Sequence, residues 1–312
     1  MNTRGIKEVS IFEVSPRDGL QPEPEFIATE KKIKLVNDLA DAGCKRIEVT
    51  SFVHPRWVPQ MRDAKEVHAG IEKKPGVAYS ALVPNVKGLE LALSCGFREV
   101  VTIMSTTDGH NRKNLNMSPK ESLAEIEKIN RIAAGEGVKV RSYIATVFGC
   151  PLEGDQDPAK ALEIALALES FGSYEVSLGD TTGMANPLSA HRIPKLVKSR
   201  LTKAGLAVHY HKYHGLEFAN NLASLEAGVT VFDGAAGGLG GCPYAPGAKG
   251  NCQTEILVEM FSRMGVATGI DLEKLYKVGE YAQTLSTLLH KTCKSPQGAA
   301  HGQEAGGRQE TV

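Results

Sequence analysis

Two histidines, His209 and His211, alternate along a short apolar segment, and their spacing is the first sign of chemistry in this chain. Residues 206–211 have the composition of a β-strand, in which side chains two positions apart project from the same face. Two imidazoles on one face supply half of a metal site, or a paired acid and base. The alternative is a structural role, which is common for a single histidine inside a barrel.

Oxygen donors that complete such a site lie in two distant parts of the chain. Asp18 follows the first apolar segment and Asn251 follows the last one. If the first and last strands are neighbours, as in a closed barrel, Asp18 and Asn251 come close to His209 and His211. Two imidazoles, a carboxylate and an amide oxygen suit Mg2+ or Mn2+, and they also permit Zn2+ or Co2+.

Three more charged residues stand where strands of the predicted fold end. Arg17, next to Asp18, is a candidate for a fixed cation that stabilises a developing oxyanion. Glu48 and Asp180 are candidates for orienting Arg17 and the metal ligands by hydrogen bonds. Asp180 is also a candidate base. The alternatives are a surface salt bridge for Arg17 and ordinary ion pairing inside the barrel for Glu48.

A glycine-rich segment, residues 237–251, contains a single cysteine, Cys242. Glycine lowers the steric cost of unusual backbone angles, so the segment is expected to bend sharply and to move. A thiol in such a loop is accessible to whatever the loop covers. The competing interpretation is a flexible surface loop with an incidental cysteine.

The elements that must position these residues alternate between short apolar strands and longer amphipathic helices. Several helices end in a glycine just before the next strand, which is the order that successive βα units require. Eight strands predict a (β/α)8 TIM barrel, whose reactive groups collect at the C-terminal ends of the strands. A doubly wound open sheet is the alternative, but it usually has a GxGxxG motif after its first strand. The predicted strands are residues 9–14, 46–50, 77–83, 99–104, 138–145, 174–178, 206–211 and 229–233.

Composition excludes several classes of protein. The 312 residues include 36 Lys plus Arg and 36 Asp plus Glu, so no net charge favours nucleic acid or an anionic membrane. There is no apolar run long enough for a membrane span, and because residues 1–8 have no apolar signal core we expect no signal sequence there. The scattered cysteines favour a reduced, cytoplasmic location. We expect one catalytic barrel domain over residues 1–294 and a flexible tail over residues 295–312.

With these motifs in place, nearly the whole chain resembles the 3-hydroxy-3-methylglutaryl-CoA (HMG-CoA) lyase family. The resemblance implies a TIM barrel, a divalent cation held by Asp18, His209, His211 and Asn251, an acyl-CoA substrate and a homodimer. It also implies a role in leucine degradation. The matching stretches are residues 14–21, 47–53, 57–61, 112–118, 149–154, 177–183 and 237–251.

The resemblance also implies a mechanism of carbon–carbon bond cleavage. The cation would lower the pKa of the C3 hydroxyl of the substrate, and a base, His209 or Asp180 through water, would remove its proton. Arg17 would stabilise the enolate of acetyl-CoA, while acetoacetate leaves. Cys242 would protonate the enolate carbon, since a thiol with an ordinary pKa of about 8.5 exchanges protons near neutrality.

One stretch departs from the family pattern. Residues 209–215 read His-Tyr-His-Lys-Tyr-His-Gly, whereas these lyases usually have Asp-Thr-Tyr-Gly after the second histidine. Lys212 and His214, together with Ser51 at the end of the second strand, are therefore candidates for determining the substrate. Two alternatives stay open: a lyase or condensing enzyme acting on another hydroxyacyl-CoA or hydroxy acid, and a degenerate metal-binding barrel. Arg56 and Lys113 are candidates for contacting the phosphates of CoA.

Overall fold

Eight parallel strands close into a barrel in the computed structural model, which describes residues 5–240 and 250–288. Each strand pairs with the next along the chain, and β8 returns to pair with β1, with Phe12 opposite Asp233. The fold prediction is therefore confirmed. The strands are β1 (Ser10–Glu13), β2 (Arg46–Ser51), β3 (Ala78–Leu82), β4 (Glu99–Ser105), β5 (Lys139–Ala145), β6 (Glu175–Asp180), β7 (Gly205–Tyr210) and β8 (Val231–Gly234).

Helices occupy the connections between the strands and surround the barrel. Two helices lie between β4 and β5, and two follow β8. Among the described residues they are α1 (Thr29–Asp41), α2 (Ala64–Gly70), α3 (Val86–Ser94), α4 (Asp108–Leu115), α5 (Pro119–Gly135), α6 (Pro158–Phe171), α7 (Pro187–Lys198), α8 (Leu216–Glu226), α9 (Thr254–Arg263) and α10 (Leu272–Thr284). None of them is both long and apolar enough to cross a bilayer.

The glycine that follows α1 shows why the helix ends where it does. Gly43 has a φ of +100°, a left-handed conformation that L side chains rarely adopt. A Cβ atom at this position would also lie 2.8 Å from the carbonyl oxygen of Gly269. The helix therefore ends at this position, and the chain turns directly into β2.

The strands have one apolar face and one largely polar face. On β6, Val176 and Leu178 pack among the surrounding helices in the main hydrophobic core, which includes Leu168 of α6. The alternate residues Glu175 and Ser177 are buried on the opposite face, because successive side chains of a strand point to opposite sides. The inside of the barrel is therefore lined with polar groups that must be paired.

Two predicted regions lie outside the described residues. One is the tail, residues 295–312, and the other is Cys242 in the glycine-rich segment. The four described cysteines, Cys44, Cys95, Cys150 and Cys252, are free thiols.

Candidate active site

A π-helical turn, Ser15–Gly19, follows β1 and places Arg17 and Asp18 at the same site. The Nη1 atom of Arg17 lies 2.5 Å from Oδ1 of Asp18, and its Nη2 atom donates to Oε2 of Glu48 on β2 at 2.7 Å. Burial alone would raise the pKa of Asp18, but the charge of Arg17 brings it below its usual range. The turn therefore presents a buried cation and an ionised carboxylate side by side.

The two histidines predicted from their spacing face one another at the end of β7. Their Nε2 atoms are 3.1 Å apart, and each lies 4.0 Å from Oδ2 of Asp18. Burial, and then the neighbouring His209, lower the pKa of His211 to about 4. At neutral pH His211 is therefore an uncharged imidazole, the form that binds a metal.

Asn251 reaches the same point because the chain returns antiparallel to the end of β7. His211 and Asn251 form an isolated β-bridge. The backbone N–H of Cys252 donates to the carbonyl of Tyr210 at 3.0 Å, and that of Lys212 donates to the carbonyl of Gly250 at 2.8 Å. These backbone bonds hold Asn251 across from the second histidine.

The amide group of Asn251 is oriented by its two acceptors. Its Nδ2 atom donates to Oδ2 of Asp18 at 2.8 Å and to the carbonyl of Leu239 at 3.0 Å. Its Oδ1 atom is buried and has no hydrogen-bond partner among the described residues. A buried acceptor without a partner is costly, so this oxygen is suited to a ligand.

The residues therefore fit a divalent cation. One ligand atom from each of Asp18, His209 and His211 lies within 4.8 Å of the others. The unpaired oxygen of Asn251 adds a fourth donor beside them. Two nitrogens and two oxygens form a mixed donor set of the kind used for Mg2+, Mn2+ and related ions.

A buried network behind His209 was missed by the sequence analysis. The Nδ1 atom of His209 lies 3.2 Å from Oδ2 of Asp233 on β8. Arg141 on β5, which is 0% exposed, donates to both oxygens of Asp233, at 2.6 and 3.2 Å. Its Nε atom donates to Glu175 on β6 at 2.6 Å. Strand alternation places Glu175 and Asp233 on barrel-facing positions, as it does His209, but closure of the barrel decides which of these groups pair.

Asp180, at the end of β6, is held by its own turn rather than by Arg17. Its two oxygens accept hydrogen bonds from the backbone N–H groups of Met184 and Ala185, at 2.9 and 3.2 Å. Burial raises the pKa of Asp180 to about 7, despite these bonds and the nearby His209. The carboxyl group can therefore take up and release a proton near neutral pH.

The three candidates for substrate specificity occupy different environments. Ser51 is buried and accepts a hydrogen bond from the backbone of Val53 at 3.2 Å. The amine of Lys212 donates to the carbonyl of Gly238 at 3.3 Å, and so faces the glycine-rich segment. His214 is exposed and has a φ of 52°. The structure does not bring these three side chains together.

The two residues predicted to contact CoA phosphates, Arg56 and Lys113, are both exposed. Arg56 lies in the loop after β2, and Lys113 lies in α4, after β4. Both are therefore at the C-terminal side of the barrel, the side on which Arg17 and the histidines lie.

Comparison with known proteins gives a consistent result over most of the chain. The family model named HMGL-like matches residues 8–281. Hydroxymethylglutaryl-CoA lyase YngG of Bacillus subtilis is 47% identical over 277 residues, which are 89% of this chain and 93% of that protein. The human mitochondrial hydroxymethylglutaryl-CoA lyase is 44% identical over 92% of this chain and 90% of its own length.

Solved structures agree with this relationship. The Bacillus subtilis HMG-CoA lyase structure superposes with a TM-score of 0.86 at 46% identity, covering 89% of this chain and 93% of that one. An Acinetobacter HMG-CoA lyase in complex with coenzyme A and 3-methylmalate has a TM-score of 0.86 at 38% identity, over 93% of this chain and 97% of that one. The carboxyl transferase domain of Rhizobium etli pyruvate carboxylase, at 18% identity and a TM-score of 0.70, shares the fold.

Proposed function

The chain belongs to the HMGL-like family, and from that membership we propose that it is a divalent-metal-dependent lyase that cleaves HMG-CoA into acetyl-CoA and acetoacetate. The observation that carries the proposal is the convergence of Asp18, His209, His211 and Asn251 beside the buried Arg17. These four donors can hold the metal ion, and this cation can stabilise the enolate that such a cleavage forms. The name of the relatives at 44–47% identity supports the same reaction.

The four converging side chains would hold the cation. A divalent ion bound there supplies Lewis acidity, which polarises substrate oxygens and lowers the pKa of a hydroxyl group. Asp233 fixes the tautomer of His209, because a carboxylate only accepts hydrogen bonds and Nδ1 must therefore carry the proton. That leaves the lone pair of Nε2 directed at Asp18 and His211.

Asp180, whose carboxyl group lies near His209, is proposed as the base. Its pKa of about 7 allows it to accept the proton of the C3 hydroxyl, directly or through water. As that proton leaves, the C3 oxygen forms the ketone of acetoacetate and the C2–C3 bond breaks. The electron pair of that bond passes to the thioester as an enolate. His209 is better assigned to the metal than to proton transfer, because its Nδ1 atom is already bonded to Asp233.

Arg17 is placed to stabilise the negative charge of the enolate oxygen. Glu48 and Asp18 hold two of its terminal nitrogens, so the cation is oriented before substrate binds. Its Nε atom is buried without a hydrogen-bond partner among the described residues. A fixed, buried cation stabilises developing charge more strongly than a solvated one, because little reorganisation is needed.

Cys242 is proposed to return a proton to the C2 carbon of the enolate. The thiol lies outside the described residues, but both ends of its segment contact the metal site. Leu239 accepts the amide of Asn251, and a Cβ atom at Gly240 would lie 2.5 Å from Nδ2 of Asn251. This close approach connects the glycine-rich segment to the ligands and supports the assignment.

Binding of the acyl-CoA chain is proposed at a cavity of about 290 Å³ beside the end of β2. Apolar Phe52 and Met61 line it together with the cationic Arg62 and Lys87, a combination that suits an acyl-pantetheine chain and phosphates. Ser51 also lines this cavity, which makes it the specificity candidate best placed to contact substrate.

Several finer points stay predictions. Mg2+ or Mn2+ as the physiological ion follows from the donor set. A homodimer and a role in leucine degradation are carried over from the family resemblance, and a cytoplasmic location follows from the cysteine pattern.

A substrate panel tests the choice of acyl group. The purified protein with Mg2+ or Mn2+ is given HMG-CoA, bulkier analogues and more anionic ones, and the products are identified by mass spectrometry. Cleavage of HMG-CoA with the highest kcat/KM supports the proposal. Preference for an analogue would support the alternative of a related lyase, and failure to bind any divalent ion would support a degenerate barrel.

A further inference from the structure

Lys212, the residue that departs from the family pattern, contacts both described ends of the glycine-rich segment. Its side-chain amine donates to the carbonyl of Gly238 at 3.3 Å, at the start of the segment. Its backbone N–H donates to the carbonyl of Gly250 at 2.8 Å, at the end. One residue at the end of β7 therefore connects the two points where this segment leaves and rejoins the barrel.

The approach of the lysine side chain depends on a glycine at position 238. Gly238 has a φ of +64°, and a Cβ atom there would overlap Nζ of Lys212 and lie 2.6 Å from its Cε atom. The aliphatic part of the side chain thus packs directly on the glycine backbone. Such a fit leaves the amine little freedom to reach a substrate elsewhere.

The side chain of Lys212 is half-buried, and two buried glutamates, Glu217 and Glu255, lie near it. Burial lowers the pKa of Lys212, and the nearby Cys252, Glu217 and Glu255 oppose this shift. Glu217 also accepts the backbone N–H of Tyr213 at 3.1 Å, and Glu255 accepts that of Gly237 at 2.9 Å. Glu217 therefore fixes the backbone beside Lys212, and Glu255 fixes the backbone beside Gly238.

These contacts bear on Asn251, which directly follows Gly250. The backbone N–H of Asn251 itself donates to the carbonyl of Leu239 at 3.1 Å, and Leu239 is next to Gly238. We propose that Lys212 is a positioning residue that fixes both ends of the glycine-rich segment and thereby holds Asn251 against the metal site. The proposal rests on the assignment of Asn251 as a ligand, and it assigns Lys212 no contact with the substrate.

The first test measures metal binding rather than turnover, so that it does not depend on the identity of the substrate. Lys212→Met keeps the aliphatic chain but removes the donor and the charge. We expect the Kd for Mn2+, measured by calorimetry or electron paramagnetic resonance, to rise about tenfold or more, as for other groups that orient a ligand. The matched control is Lys203→Met, an exposed lysine before β7, which should change the Kd less than twofold.

Kinetics with HMG-CoA separate positioning from substrate binding. At saturating Mn2+, Lys212→Met should lower kcat more than it raises KM. An unchanged Kd for Mn2+ in Lys212→Met would overturn the proposal. If KM for HMG-CoA then rose as well, Lys212 would be a substrate-binding cation instead.

A double-mutant cycle tests the packing on Gly238 independently of activity. Gly238→Ala should lower Tm strongly in the wild type, because the new Cβ atom collides with the lysine side chain. In the Lys212→Ala background the same substitution should lower Tm less, since the colliding atoms are gone while the backbone strain is unchanged. Additive losses of Tm would contradict the packing that the proposal requires.

Discussion

The Nδ1 atom of His209 and the Oδ2 atom of Asp233 lie 3.2 Å apart, inside the barrel between β7 and β8. Arg141 donates to both oxygens of that carboxylate, and its charge holds the pKa of Asp233 below its usual value although burial alone would raise it. Asp233 is therefore an ionised acceptor at neutral pH. It fixes the orientation and the tautomer of an imidazole that points at the metal site.

Asp233→Asn should weaken metal binding without removing a ligand. The new amide group can donate a hydrogen bond to Nδ1 of His209. The ring proton then sits on Nε2, and the lone pair that would bind the metal is lost. We expect the Kd for Mn2+ to rise about 10- to 100-fold. Tm should fall too, because Arg141 loses part of its buried counter-charge.

Ser177→Ala is the control for Asp233→Asn. Ser177 donates to the same carboxylate oxygen at 3.4 Å, and no hydrogen bond joins it to His209. Its loss should leave the Kd for Mn2+ within about threefold of wild type. An Asp233→Asn variant that bound Mn2+ as tightly as wild type would show that the carboxylate does not orient the ligand.

Asn251→Ala should abolish stabilisation by metal. A ligand that binds only the folded state at 100 times its Kd adds about 2.7 kcal/mol to the free energy of unfolding. Wild-type protein should therefore show a Tm that rises with added Mn2+, and the variant should not. Asn221→Ala is a matched control, because it also removes a buried amide, which donates to Glu217 and Cys252. A normal Mn2+-dependent rise in Tm for Asn251→Ala would exclude Asn251 as a ligand.

The raised pKa of Asp180 predicts a pH dependence of stability. Burial raises it from 3.8 to about 7, so the folded protein holds a proton that the unfolded chain has released between these values. The contribution of this bound proton to the free energy of unfolding is fully present below about pH 4 and is lost as pH rises through about 7. At about 1.4 kcal/mol for each pKa unit, the effect amounts to a few kcal/mol.

Asp180→Asn should remove this pH-dependent part of the free energy of unfolding. Urea unfolding of the metal-free protein at pH 5 and pH 8 gives the free energy of unfolding of both forms. The wild type should lose more stability between these values than the variant does. An equal loss in the two proteins would indicate that Asp180 titrates near its ordinary pKa, which would weaken its assignment as the base.

Cys242→Ser should retain metal binding and lose most turnover, because a hydroxyl is a far weaker proton donor near neutral pH than a thiol. The measurements are the Kd for Mn2+ and kcat with HMG-CoA. Cys95→Ser, at a half-buried position after α3, should change neither. Undiminished kcat in Cys242→Ser would exclude the thiol as the proton donor.

The strands and four of the site residues could be predicted from the pattern of apolar segments and its implied fold. Period-two alternation predicted His209 and His211 on one face, and barrel closure predicted that Asp18 and Asn251 come near them; the structure brings all four together. The sequence predicts helices that end in a glycine before the next strand, and Gly43, which follows α1, has a positive φ.

The network behind the site could not be predicted in the same way. Arg141, Glu175 and Asp233 look like ordinary charged residues of three strands, and only the closed barrel shows that they pair with one another. The π-helical turn that aligns Arg17 with Asp18 has no sequence signature. The contacts of Lys212 with Gly238 and Gly250 likewise join residues that are far apart in the sequence.

The most direct test of the central claim is identification of the products formed from HMG-CoA. Chelator-treated protein is assayed by mass spectrometry before and after addition of Mn2+. We predict acetyl-CoA and acetoacetate in equal amounts, formed only when the ion is present. Free CoA from thioester hydrolysis, intact HMG-CoA after addition of Mn2+, or undiminished cleavage in the chelated protein would contradict the account.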